Sequence, residues 1–227
     1  VSNPQGRVTG VSYCDKQKRE QFQPAKAVVL CANGAETPKL LLMSELANSS
    51  GYVGKHLMFN GNTGVSGVFE HPLNEYKSVQ VTRIVHDFYD SDPKRGFYGG
   101  GGMDGRFQNY PILWGLGGLP QDGPQWGSEY KRLLGEYFNR TMIVAGHTTS
   151  LPVASNSVTL DPKVKDSFGL PALRITYKDH PDDLKIMQFM ADRSKEILDA
   201  AGAQKTWGGQ GGVSGGTAHL LGTCRMG

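Results

Sequence analysis

The sequence predicts a mixed α/β (α+β) fold, in which a strand–turn–helix domain of parallel type is interrupted by an inserted domain of antiparallel sheet plus helices. Three observations carry that reading. A largely apolar stretch, KAVVLCAN, runs through a glycine turn into KLLLMSE. Short β-rich runs divided by Gly, Pro and Asp fill residues 61 to 178, and a long apolar pattern at 3–4 spacing follows from His180 to Gly202. The division that results is 1–60 for the first part of the outer domain, 61–205 for the inserted domain and 206–227 for the return.

Taken in order, GRVTGVSY alternates apolar with small or polar residues and reads as a strand, CDKQKREQ as a solvated turn, and KAVVLCAN as a second strand. That second strand is apolar at nearly every position, the pattern of a strand buried on both faces. Thr37 suits the N-cap and Pro38 the first helical position, so the next helix presents N–H groups that could face an anionic ligand. GYVGKHLMFN connects to VSGVF, SVQVTRIV, RTMIVAGHTT, SVTL and ALRITY, which read as antiparallel strands, with GSEYKRLLGEYF as a surface helix. In the last helix Pro181, Asp182 and Asp183 supply an acidic first turn and Gly202 a stop. Leu184, Met187, Met190, Ile197, Leu198 and Ala201 mark its core face.

The chain of 227 residues is long enough for a sizeable core in one or two domains. No apolar run approaches the roughly 20 residues of a membrane-spanning helix. A net charge of +3 without a basic, aromatic-studded strand argues against nucleic acid as a partner. The three cysteines, Cys14, Cys31 and Cys224, have no CxxC pairing, so neither a metal site nor a disulfide framework is expected. Glycine stands out at 31 residues, about twice the usual share of roughly 7%. Its clusters mark turns or places where backbone comes close to something.

Among candidate chemical groups His219 comes first. Glycines before it and GTCRMG after it would let a planar ligand approach, and a histidine can take a proton from an alcohol. The competing reading is a loop histidine satisfied by backbone. On its own the turn ANGAETP reads as an ordinary strand–helix corner, and Gly99–Gly102 as a mobile loop. His71, His86, His147 and His180 lack metal-ligand spacing and read as surface, capping or strand residues. Asp104, Asp161 and Glu136 show no paired-carboxylate pattern, and Cys224 reads as a small buried packing residue. Trp114 and Trp126 could stack on a sugar ring, although packing is the commoner use of such residues.

AHLLGTCRMG resembles the C-terminal signature of the glucose–methanol–choline (GMC) oxidoreductases, where a histidine precedes Gly-Thr-x-x-Met-Gly. AVVLCANGAETPKLLLMSE resembles the second flavin-domain segment of that family, and GYVGKHLMFN its Val-Gly-x-x-Leu-Met connector. Phe59-Asn60 at the end of the connector is similar to a bacterial branch acting on sugars and sugar acids. SNSVTLDPKVKDSFGLPALRITYKDHPDDL is similar to the substrate-domain strand, turn, strand and helix start.

The resemblance implies that residues 1–60 and 206–227 belong to a Rossmann-like FAD-binding domain and 61–205 to a substrate-binding domain. It implies FAD as cofactor, a CH–OH group of an alcohol, sugar or sugar acid as substrate, and quinone, cytochrome or oxygen as electron acceptor. His219 takes the place of the catalytic base, and Asn33, Gly34, Glu36 and Thr37 match the segment near the ADP half of FAD. The GxGxxG turn is expected upstream of Val1 and a second catalytic residue beyond Gly227, so the chain reads as an internal piece that neither retains FAD nor turns over alone. Alternatives are an oxygen-using oxidase of the same family and a noncatalytic β-rich binding module.

Overall fold

The computed structural model describes residues 1–77, 79–106, 110–210 and 219–225. In chain order these form β1 (Gly10–Cys14), β2 (Glu20–Pro24), α1 (Asn33–Met43), β3 (Met58–Phe59), β4 (Gly61–Val68), β5 (Val81–Val85) and β6 (Gly101–Arg106). There follow α2 (Pro111–Gly117), α3 (Gly127–Phe138), β7 (Thr141–Thr148), β8 (Ser157–Lys165), β9 (Pro171–Thr176), α4 (Pro181–Ala200), β10 (Lys205–Gln210) and β11 (Leu220–Leu221). They divide into two units. One takes the described residues of Val1–Phe59, Pro152–Lys178 and Ala218–Gly227; the other takes those of Asn60–Leu151 and Asp179–Thr217.

In the first unit β1 and β2 form a hairpin, closed by Asp15, whose carboxylate accepts the N–H groups of Gln17 and Arg19 at 2.9 Å each. β8 pairs with β9 from Ser157↔Thr176 to Leu160↔Leu173, after which the register shifts. β3 and β11 share two rungs, Phe59↔Leu220 and Met58↔Leu221. α1 packs against β8 and is tied to the loop after it by Lys39, whose Nζ stands 3.5 Å from Asp166.

These pairings overturn the expected Rossmann-like domain: every strand pair among the described residues is antiparallel. The expected doubly buried strand, residues 26–33, is absent: residues 26–32 carry no strand, Asn33 opens α1, and Val29 is 82% exposed. An all-apolar run needs strands on both edges to use its backbone groups and layers on both faces to cover its side chains. The described residues put none of these around Ala27–Leu30.

The second unit is an antiparallel sheet in the order β10-β4-β7-β6-β5. α4 covers one face: its Met190, Ala191 and Leu198 are buried in a core with Val65, Met103 and Val144, and Ile186 and Met187 are buried on the same helix. Each large side chain there contributes about 1.5–3 kcal/mol by leaving water. Leu184 and Ile197 lie to one side of that face, 39% and 37% exposed, because the buried stripe follows 183, 186–187, 190–191, 194 and 198. His180 caps the helix: its Nδ1 accepts the Asp182 N–H at 3.1 Å, while the buried Asp183 carboxylate accepts the N–H groups of His180 and Leu151. Gly101 is no part of a mobile loop. It opens β6, where a Cβ would stand 2.2 Å from the His147 carbonyl, so its bareness permits the close approach of β6 and β7. Trp114 packs, 6% exposed with Nε1 donating to the Leu134 carbonyl, and Trp126 is 85% exposed. No helix among the described residues is long and apolar enough to cross a membrane.

Candidate functional site

Three stretches far apart in sequence meet in the first unit: the turn that opens α1, the Gly54–Phe59 connector and residues 219–225. The turn begins at Asn33, whose φ of 62° lies in the left-handed region that asparagine tolerates better than most residues. Its Oδ1 accepts the N–H groups of Ala35 at 2.8 Å and Glu36 at 3.1 Å, the work of a helix cap. The helix therefore starts four residues before Thr37, the expected cap, whose Oγ1 instead accepts the Ala32 N–H at 3.2 Å. Pro38 falls inside α1 and is buried.

Residues 219–225 lie against this turn. His219 is exposed and directly precedes Leu220, the first residue of β11. A Cβ on Gly34 would stand 2.7 Å from the Leu220 carbonyl oxygen, so only glycine admits this strand. Thr223, 1% exposed, donates from Oγ1 to the Gly34 carbonyl at 2.6 Å and accepts the Gly54 N–H on its own carbonyl at 2.8 Å. Of the residues singled out from sequence, Gly34 and the neighbour of His219 are thus in contact, while Asn33 and Glu36 are exposed at the same turn and Thr37 is half-buried. Glu36 holds Lys39 at 3.6 Å. Cys224, expected to be buried, is an exposed free thiol.

Two further features of the structure have no counterpart among the sequence motifs. The connector carries His56, with φ of 61° and its ring edge-on to Tyr52 at 5.2 Å. Burial, and then the charges of Arg225 and Lys55, hold its imidazole below the usual histidine range. In the second unit, on the sheet face away from α4, Asp104 binds Arg106 Nε at 2.6 Å and His147 Nε2 at 2.8 Å, and Arg106 Nη2 also meets His147 Nε2. Asp104 and His147 are 43 residues apart. Only the β6–β7 register, Gly102↔His147 and Asp104↔Ala145, makes them diagonal neighbours, so no spacing in the sequence could reveal the pair.

The donor set at the α1 turn suits one part of FAD better than another. Glu36 offers an exposed carboxylate that can accept ribose hydroxyls. The N–H groups of Ala35 and Glu36, by contrast, are spent on Asn33, so a phosphate gains little there.

Residues 152–227 match the family model for GMC oxidoreductase. Over the whole chain the sequence is 35% identical to 2-methyl-1,2-propanediol dehydrogenase of Mycolicibacterium austroafricanum, covering 43% of that protein. It is 27% identical to the gluconate 2-dehydrogenase flavoprotein of Pantoea cypripedii, over 91% of this chain and 35% of the relative. It is 30% identical to the fructose dehydrogenase large subunit of Gluconobacter japonicus, over 78% and 33%. The motif order, the family match and these relatives agree, and the chain belongs to the GMC oxidoreductase family. It spans less than half the length of each of these relatives.

Proposed function

We propose that the protein oxidises a CH–OH group of a sugar, sugar acid or other alcohol, with FAD as cofactor and His219 as the base. The observation that carries this is the meeting of two segments 189 residues apart: the strand that begins beside His219 packs on the glycine turn of Asn33–Thr37. Supporting it are the names of the relatives, which include a diol dehydrogenase, a sugar dehydrogenase and a flavoprotein acting on gluconate.

In this reading the exposed imidazole of His219 takes the hydroxyl proton in its neutral form, which raises electron density on the carbinol oxygen and eases loss of the hydride from the same carbon. FAD, when bound, supplies the hydride acceptor. Glu36 would hold ribose hydroxyls, with Asn33, Gly34 and Thr37 shaping the turn beside it. Residues 61–205 would serve as the substrate-binding domain. The test is spectral: the intact protein should purify with flavin absorbance that bleaches anaerobically on addition of 2-methyl-1,2-propanediol, gluconate or fructose. Purification without flavin, and no uptake of added FAD, would end the proposal.

A further inference from the structure

We infer that Thr223 is a positioning residue for His219, acting through a hydrogen bond that stands in for one α1 cannot make. A helical N–H normally donates to the carbonyl four residues back, and proline has no N–H. Pro38 therefore leaves the Gly34 carbonyl without its helical donor, inside α1. Thr223 Oγ1 donates to that carbonyl at 2.6 Å, from a side chain 1% exposed. The same residue takes the Gly54 N–H at 2.8 Å on its carbonyl.

These bonds add to a short ladder at the described segment 219–225. Its ladder to β3 has two rungs, and so short a pair is marginal by itself. Thr223 lies four residues after His219 and fastens the far end of β11 to the turn whose Gly34 also receives Leu220. With one end on β3 and the other on α1, the direction in which His219 leaves the strand is set. Removing the hydroxyl frees that end and leaves the half-buried Gly34 carbonyl without this donor.

The role rests on His219 being the base, and the test separates the two. In the intact protein, Thr223→Val keeps the shape and removes the donor, and Thr223→Ser keeps the donor. Amide exchange at Leu220, Leu221 and Gly54 should speed by at least tenfold in Thr223→Val and return in Thr223→Ser. Dye-coupled oxidation of 2-methyl-1,2-propanediol should fall about 100-fold in kcat, with KM changed far less, as expected when a reacting group is misplaced by about 1 Å. Thr223→Ser should restore it. Pro38→Ala supplies Gly34 with a helical donor, so the double variant Pro38→Ala/Thr223→Val should recover part of the exchange protection, and it remains informative if Thr223→Val folds poorly. Unchanged exchange in Thr223→Val, or faster exchange with unchanged kcat, would overturn the positioning role. A rate unaffected by His219→Ala would instead sink the base, leaving the exchange result to judge the Thr223 bond.

Discussion

The Leu220 backbone lies so near Gly34 that a β-carbon there would stand 2.7 Å from its carbonyl oxygen and 2.9 Å from its carbonyl carbon. Backbone on one side and a helix turn on the other leave no flexible atom to yield. Gly34→Ala should therefore cost about 1–3 kcal/mol, the usual range for overpacking, in urea denaturation. Gly135 in α3 is the control: a Cβ there meets nothing within 4 Å. Gly135→Ala should stabilise by about 0.5–1 kcal/mol.

Asp183 should give a pH signature. Burial pushes its carboxyl above the ordinary 3.8, against the opposing hydrogen bonds from the Leu151 and His180 N–H groups. A folded pKa above the unfolded one means that the folded protein holds more protons between the two values. Stability from this group is therefore fully present below about 3.8 and is lost as pH rises through the raised value. Asp183→Asn has no such proton to lose. The stability of the variant relative to the parent, from urea midpoints between about pH 3 and 7, should rise with pH. A difference that stays flat or falls would contradict this assignment.

Asp104→Ala should destabilise by about 2–3 kcal/mol. It leaves Arg106 and His147 facing each other without the carboxylate that joins them. Those two side chains keep 25% and 32% exposure, which holds the cost below that of a fully buried charge. Arg106→Met, which removes a donor and keeps the stem, should cost less. Thermal melts of the two variants check the order.

Much of the fold is legible in the chain because it rests on local signals. Acidic residues behind Pro181 and the stop at Gly202 mark α4, and the GSEYKRLLGEYF stretch coincides with α3. The strands β4, β5, β7, β8 and β9 follow from β-rich runs between turn residues. Ala27–Leu30 fails because composition reports how apolar a segment is and not which strands flank it. The Gly99–Gly102 loop fails for the opposite reason: Gly101 and Gly102 open β6, and the bareness of Gly101, which looks like looseness, is what close packing on His147 demands. At the candidate site, His219 and the ANGAETP turn stand out as motifs. The bond from Thr223 to Gly34 could not, since it depends on a missing N–H at Pro38 and a contact across 189 residues.

The most direct measurement is the pre-steady-state rate of flavin bleaching after mixing the intact protein with 2-methyl-1,2-propanediol, gluconate or fructose, compared with His219→Ala at equal flavin content. If His219 removes the hydroxyl proton, the rate falls by about 10²–10⁴-fold. An alanine variant that bleaches as fast as the parent would show that the proton leaves by another route.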